Sequence, residues 1–528
     1  MNLRPLLMVT ILAVAAPLLG QEASERVVPS SELLEVVRFS ETISGESRLL
    51  SVPENRLQST SRQIYVHYIR IPARKDTQLP PVVFLPGGPG QTITCEDIAA
   101  GLSRKGYSKY AELAAFGEAR DVVIINQSGT GGTPGHPDLP RFWLVEPPVF
   151  SKPLSADEKR VRLARGLHKL MVRCGEQGID VRGYNLGNMA DDVEAIRLAH
   201  GYARIAIRGT SFGSQWALAY LSRYPNNIDR MLLSGVEPVD YGYDSPNGFW
   251  NVIKRIDAEA RASEQVVLPD VGLAEAVKTI ITRLEAKHVT IRGFHPRKKY
   301  AVNVPIGADD FRHYLLRPIL DSQMHSRAML ALWPKFIAEI YNEDYQYLAS
   351  KIVDDRPETT SRSLHYTLID NSIGISEERE ATLNSEMAAR WLGDVNLFYT
   401  ATRSACPIDP SAESLRRMAD SPVPVLLVHG TLDLATPLEN SLDVIPSFPN
   451  GKLLTVVGGT HAAEFHAAGV DPKFLTYLTT FMNASDATLA VRTIPNEIRL
   501  PALKFQSTSE PSLFTMLTEG NRQNGRSK

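Results

Sequence analysis

Gly209-Thr210-Ser211-Phe212-Gly213 sets a serine between two glycines, with the apolar run Ile205-Ala206-Ile207 before it and a helix-compatible stretch, Ser214 to Tyr224, after it. A chain that passes from strand to helix through such a pentapeptide turns so sharply that the residues two before and two after the serine must lack bulk. The serine hydroxyl is then pushed out at the carboxyl edge of a sheet. The amino terminus of the following helix lies beneath it, and the amide of Phe212 points where an oxyanion would form.

A serine hydroxyl is a poor nucleophile at neutral pH and needs a base to take its proton and an acid to hold that base in one tautomer. Both follow in order along the chain. Asp433 comes after the apolar run that ends at His429, and His461 comes after the run that ends at Val457. Loops after late strands of a parallel sheet return to the edge that carries the serine. Taken singly, Asp433 reads as a turn-former, and His461 reads as a surface histidine with His466 as a rival. His429 reads as a buried strand end, and Glu439 and Glu464 as solvated. Order and strand context together favour Ser211, Asp433 and His461 as one unit. Gly87-Gly88-Pro89-Gly90, after another apolar run, suits the second half of an oxyanion hole, because glycines let backbone amides approach a reacting carbonyl. Gly88 is the expected donor, with Gly87 next, alongside Phe212.

At 528 residues the chain exceeds one simple domain. A net charge of -2 leaves no excess of cations to neutralise phosphates, which argues against a nucleic-acid partner. No zinc signature or phosphate-binding glycine loop occurs, and no cofactor is expected. Arg4 followed by the apolar Leu6 to Leu19 and small residues near Gly20 and Ala23 reads as a secretory signal, placed at residues 1–20. A membrane anchor is the alternative, but a full span needs about 20 apolar residues. The expected location is secreted or periplasmic, with no integral span in the mature protein. Three cysteines, Cys95, Cys174 and Cys406, allow one disulfide and one free thiol.

Short apolar runs at Tyr65 to Ile71, Val82 to Leu85, Val122 to Ile125, Ile205 to Ile207, Met231 to Gly235, Val423 to His429 and Leu453 to Val457 alternate with helical patterns such as Ala190 to Leu198. Such alternation predicts a mostly parallel sheet with helices on both faces. It breaks off from about 240 to 420, where helix-compatible charged stretches dominate. The expected organisation is a core over 21–239, a helical lid over 240–417, the second part of the core over 418–490, and an extension over 491–528 whose polar tail, from about 505, is expected to be loose.

Four segments carry a resemblance: Leu85-Pro86-Gly87-Gly88-Pro89-Gly90, the serine pentapeptide, Gly430-Thr431-Leu432-Asp433-Leu434-Ala435-Thr436-Pro437 and Gly458-Gly459-Thr460-His461. With the helix pattern of Asp191 to Leu198, they resemble the prolyl iminopeptidase and tripeptidyl-aminopeptidase branch of α/β-hydrolases over about residues 65 to 240 and 420 to 485. The resemblance implies an α/β-hydrolase fold with an inserted helical lid. It also implies exopeptidase chemistry at a free peptide amino terminus. The chain departs from the family pattern in three places, one of them the absence of the tryptophan often found near the lid cysteine that Cys406 resembles. Asn126-Gln127-Ser128-Gly129 stands where the family usually has Asp-Gln-Arg-Gly. Ser372 falls where a lid glutamate is expected, which leaves Asp370 as the candidate to hold a substrate amino group. The family-like layout also implies a Cys174–Cys406 bridge with Cys95 free. The expectation is a serine hydrolase of aminopeptidase type acting on a peptide substrate. The alternatives are a carboxylesterase for small or lipid-like esters and a non-catalytic binding protein on the same scaffold.

Overall fold

The computed structural model describes residues 31–130, 139–144, 150–263, 266–296, 298–320, 326–355, 360–507 and 509–524; the proposed signal segment lies outside them. Fourteen strands are described in chain order. They begin with β1 (Ser31–Arg38), β2 (Ser44–Pro53), β3 (Gln63–Ile71), β4 (Val82–Leu85), β5 (Val122–Ile125), β6 (Arg141–Leu144), β7 (Ile205–Thr210) and β8 (Ile228–Ser234). The remainder are β9 (Val289–Phe294), β10 (Ala301–Ile306), β11 (Thr360–Ser363), β12 (Val425–Gly430), β13 (Gly451–Val457) and β14 (Glu497–Arg499). Ten of them form one sheet, in the order β1-β2-β3-β5-β4-β7-β8-β12-β13-β14. The first three strands pair antiparallel, β3 joins β5 antiparallel, and every pairing from β5 to β14 is parallel.

The central strands are apolar without a break because both faces are covered. Residues alternate between two cores. Val83, Val123, Ile207 and Leu427 pack on one side with Trp216 and Val193. Phe84, Ile124, Leu232 and Leu426 pack on the other with Phe116 and Phe481. The covering helices start where a side chain can accept the first free amides, as Asn185 does from the amide of Asn188 ahead of Leu186–Ala199, and Ser108 from that of Ala111 ahead of Lys109–Phe116.

Between β8 and β12 the chain builds a separate core of Phe249, Trp250, Ile281, Phe311, Trp333 and Phe336. Its helices include Pro246–Arg261, Leu273–Ala286 and Trp333–Tyr341. This insertion is not wholly helical. β9 and β10 form a hairpin, and β11 pairs antiparallel with β6. Neither hairpin strand has the long buried run that marks a strand in sequence; the exposed Thr290 and Arg292 in β9 break it.

Leu432 and Leu434, which flank Asp433, belong to the core of the insertion, as do Leu503 and Leu513. Within the extension, Leu513 and Met516 pack against this core. A helix spans Leu513–Asn524, Lys335 Nζ donates to the carbonyls of Glu510 (2.9 Å) and Pro511 (2.6 Å), and the Leu513 amide donates to Glu339 Oε1 at 3.0 Å. Its few apolar residues are enough because they enter a core already formed by others. All three cysteines are free thiols, so the expected Cys174–Cys406 bridge is not made, and the Cys406 thiol is directed at the Thr367 carbonyl. No described helix is long and apolar enough to cross a membrane.

Candidate active site

Ser211 stands between β7 and the helix Phe212–Arg223 with φ 56° and ψ -129°, a left-handed conformation that a non-glycine residue adopts only when its surroundings enforce it. Its flanking glycines are required sterically. A Cβ on Gly209 would stand 2.5 Å from the Gly213 carbonyl oxygen, and one on Gly213 would stand 1.9 Å from that of Leu85. The elbow is also tied to the neighbouring strand, since the Ser211 amide donates to the Ser234 carbonyl at 2.8 Å.

The next residue after Ser234 is Gly235, and the His461 ring approaches it closely. A Cβ there would lie 2.7 Å from His461 Cε1. Ser211 and His461 therefore flank the same two-residue link at the end of β8. His461 Nδ1 donates to Asp433 Oδ2 at 2.8 Å, which leaves Nε2 as the acceptor that a nucleophile's base must offer. Asp433 is 1% exposed and accepts further bonds from the amides of Ala435 (2.9 Å) and Thr436 (3.0 Å) and from Thr436 Oγ1 (2.9 Å). Burial works to raise Asp433, but His461 and His429 outweigh it and hold the carboxyl well below the usual carboxylate range. Burial likewise works to lower His461, while the Asp433 charge and hydrogen bond, aided by Glu464, raise it above its ordinary value.

His429 is buried, as expected for a strand end, but it also backs the site. Its Nε2 donates to the Thr436 carbonyl at 2.5 Å and lies 3.4 Å from Asp433 Oδ2. His466 sits further along the helix Ala463–Val470, and the histidines that reach Asp433 are His461 and His429. Glu439 is half-buried against Arg255 at 2.6 Å. Glu464 is not solvated, contrary to expectation. It is 8% exposed and bonded to the buried Arg208. Arg208 also escaped the sequence reading, although a lone cation in an apolar strand is a signal that could have shown it.

In the loop after β4, Gly87 packs on Ser211, and a Cβ there would come 3.7 Å from Ser211 Oγ. The Gly87 amide donates to Gln91 Oε1 at 3.2 Å. The amides of Gly88 and Phe212 have no such partner among the described residues. Gly88 adopts φ 116°, and a Cβ would meet the Gly90 nitrogen at 2.6 Å, so only glycine fits. Gln127 clamps this loop: its Nε2 donates to the Gly87 carbonyl (2.9 Å), and its Oε1 accepts from the Gly90 amide (2.7 Å) and from His365 Nε2 (2.9 Å).

Asp370 lies buried on the helix Leu364–Ile373 of the insertion. Ser372, two residues on, turns its hydroxyl into its own helix, toward the Ile369 carbonyl at 2.7 Å. The sequence reading passed over two further acids, Glu237 and Asp244. Glu237 follows the carboxyl end of β8, the same edge as Ser211, and that position could have flagged it. Its amide donates to Ser214 Oγ at 2.9 Å, in the first turn after the elbow. Burial, together with Asp370, Asp244 and Asp433, raises the Glu237 carboxyl well above its usual range. Burial, opposed by Arg379 and reinforced by Asp433, pushes Asp244 up to about 7. Among the described residues no group of three or more acidic, histidine or cysteine side chains is arranged to hold a metal.

Two family profiles match the chain, one described as alpha/beta hydrolase fold over residues 80–271 and one as TAP-like protein over residues 397–487. No curated protein matches it. Among solved structures, a serine hydrolase from Cycloclasticus zankles is 12% identical with a TM-score of 0.32, covering 86% of this chain and 98% of its own. A meta-cleavage product hydrolase from Pseudomonas fluorescens is 15% identical with a TM-score of 0.33, over 80% of this chain and 95% of its own. A 2-hydroxy-6-oxo-6-phenylhexa-2,4-dienoate hydrolase from Rhodococcus is 13% identical with a TM-score of 0.32, over 82% and 99%. The sheet order, the strand–serine–helix elbow and the two profile matches make this chain a hydrolase of the α/β-hydrolase fold with a TAP-like segment in its second half.

Proposed function

We propose that the protein is a serine-type aminopeptidase, in which Ser211 attacks the acyl carbon of a peptide held by its free amino terminus. His461 takes the hydroxyl proton through Nε2 and returns it to the leaving amine. Asp433 holds the imidazole tautomer and stabilises its cation. The amides of Gly88 and Phe212 receive the oxyanion, and water then releases the acyl group with His461 again as base.

The observation that carries the peptidase reading is Glu237, tied through its amide to Ser214 in the turn after the elbow, with a carboxyl that burial and the charges of Asp370, Asp244 and Asp433 raise well above its usual range. A carboxyl raised by burial and by neighbouring acids is stabilised in its charged form by an added cation, and a substrate ammonium would supply one to Glu237. The resemblance to aminopeptidases and the TAP-like match support the same reading. The test is a panel of an alanyl anilide, its amino-blocked form and a simple ester. A sharp fall in kcat/KM on blocking supports the aminopeptidase. Equal turnover of blocked and free anilides, with faster ester cleavage, transfers the assignment to a carboxylesterase with the same three residues.

We propose further that the protein is exported, on the strength of Arg4 and the apolar Leu6 to Leu19. Amino-terminal sequencing of the mature protein outside the cytoplasm checks this, and a retained Met1 there would overturn it.

A further inference from the structure

We propose that Arg208 is a positioning residue that holds the Ser211 elbow and the His461 segment in register through the carboxylate of Glu464. The inference rests on the reading of Ser211 and His461 as nucleophile and base.

Arg208 lies on β7, three residues before Ser211, and is 1% exposed. Its neighbours in register on the flanking strands are Phe84 and Leu232, both apolar, so the sheet itself has no need of a charge there. The guanidinium instead reaches four parts of the chain. Nη1 donates to the Gly209 carbonyl at 2.8 Å and to Ser234 Oγ at 3.1 Å. Gly209 is the first glycine of the elbow, and Ser234 is the residue whose carbonyl takes the Ser211 amide. Nη2 donates to Glu464 Oε1, three residues beyond His461. Nε donates to Glu112 Oε1 at 2.6 Å, on the helix Lys109–Phe116. Glu112 in turn receives the hydroxyl of Tyr107.

A buried guanidinium is retained only where its fork is well matched, and its planar geometry fixes the groups it bonds relative to one another. Here those groups are the strand end beneath the nucleophile, the strand link shared with the base, and the first turn of the helix that follows the base. The angle at which His461 approaches Ser211 is thereby tied to one rigid ion. The charges facing Glu464 are Arg208, Glu112 and Lys109, and those facing His461 are Asp433 and Glu464 itself. Glu464 thus connects the buried ion cluster electrostatically to the base.

The experiment measures the second-order rate of labelling by a fluorophosphonate as a function of pH, a readout that needs no substrate assignment. It is run on the full chain, on Arg208→Lys, Glu464→Gln and Ser211→Ala, with thermal melting of each. Arg208→Lys keeps the charge and loses the fork, and labelling is expected to slow about tenfold while the fraction of folded protein is unchanged. Glu464→Gln keeps the acceptor and loses the charge, and the acid limb of the profile is expected to move down by about half a pH unit. Rates and profiles equal to the parent, or losses that follow only the folded fraction, overturn the proposal. If these occur while Ser211→Ala abolishes labelling, the positioning role alone fails. If Ser211→Ala still labels, the nucleophile reading fails and this inference with it.

Discussion

Ser211 is held at φ 56° in a turn that Gly209 and Gly213 permit and that the hydrogen bond from its amide to the Ser234 carbonyl fixes. Ser211→Ala is expected to keep the fold, abolish fluorophosphonate labelling and lower kcat on the order of 10⁴-fold or more; persistent labelling would remove Ser211 from the mechanism. On the proposed role of His461 as base it must be neutral to act, and it is raised above its ordinary value, so kcat/KM should fall as pH drops through a value above the ordinary histidine range. An acid limb at or below 6 would contradict that. Glu237 and Asp244 act on stability in the opposite sense to Asp433. Asp433 is depressed when folded, so its contribution is present above the ordinary carboxylate value and is lost as the pH falls toward its folded value. Asp244 binds a proton in the folded chain that the unfolded chain has released between 3.8 and about 7, so its contribution declines as pH rises through that window. Glu237 behaves likewise from 4.5 upward. Glu237→Gln should therefore raise Tm more at pH 8 than at pH 5, while lowering kcat/KM for free amino-terminal substrates. A uniform effect on Tm at both values would argue against a strained carboxyl.

At the scale of elements, the elbow depends on close approach between β4 and the helix Phe212–Arg223. Gly213→Ala drives a methyl to within 1.9 Å of the Leu85 oxygen, and the expected cost is about 3 kcal/mol or more, read as a large fall in Tm or loss of soluble protein. The loop after β4 is joined to the insertion through Gln127, which bonds Gly87, Gly90 and His365 together. Losing that clamp should act on the oxyanion and less on ground-state binding. Gln127→Ala is expected to lower kcat roughly tenfold with KM within about twofold; a change confined to KM would place Gln127 in substrate binding instead.

For the whole molecule, the insertion and the carboxy-terminal segment share one apolar core, which also takes in Leu432 and Leu434 on either side of Asp433. Ending the chain at Lys504 removes the buried Leu513 with its bond to Glu339, and the Glu510 and Pro511 carbonyls that accept from Lys335. Tm is expected to fall by at least about 2 °C, and activity to fall with it if Asp433 acts as proposed, because Asp433 is carried between two residues of that core. An unchanged Tm would show that the segment is not part of the cooperative unit.

Local sequence determined the elements whose physics is local. Val82–Leu85 and Val122–Ile125 are strands at the bounds their apolar runs suggest, since a strand covered on both faces has no polar alternation to blur it. The steric demand for Gly209 and Gly213 was likewise legible, and so was the order in which Ser211, Asp433 and His461 occur. The hairpin Val289–Phe294 with Ala301–Ile306 was not, because its partners supply the pairing that its mixed residues do not announce. Tertiary structure alone decided that Glu464 is buried against Arg208, that Glu237 and Asp244 join Asp370, and that the tail packs down. In each case the sign of the outcome depends on what lies across the fold. A carboxylate beside an arginine from another strand is retained in the interior, one beside other carboxylates is driven toward its neutral form, and a lone leucine orders a polar tail only where a core is waiting for it.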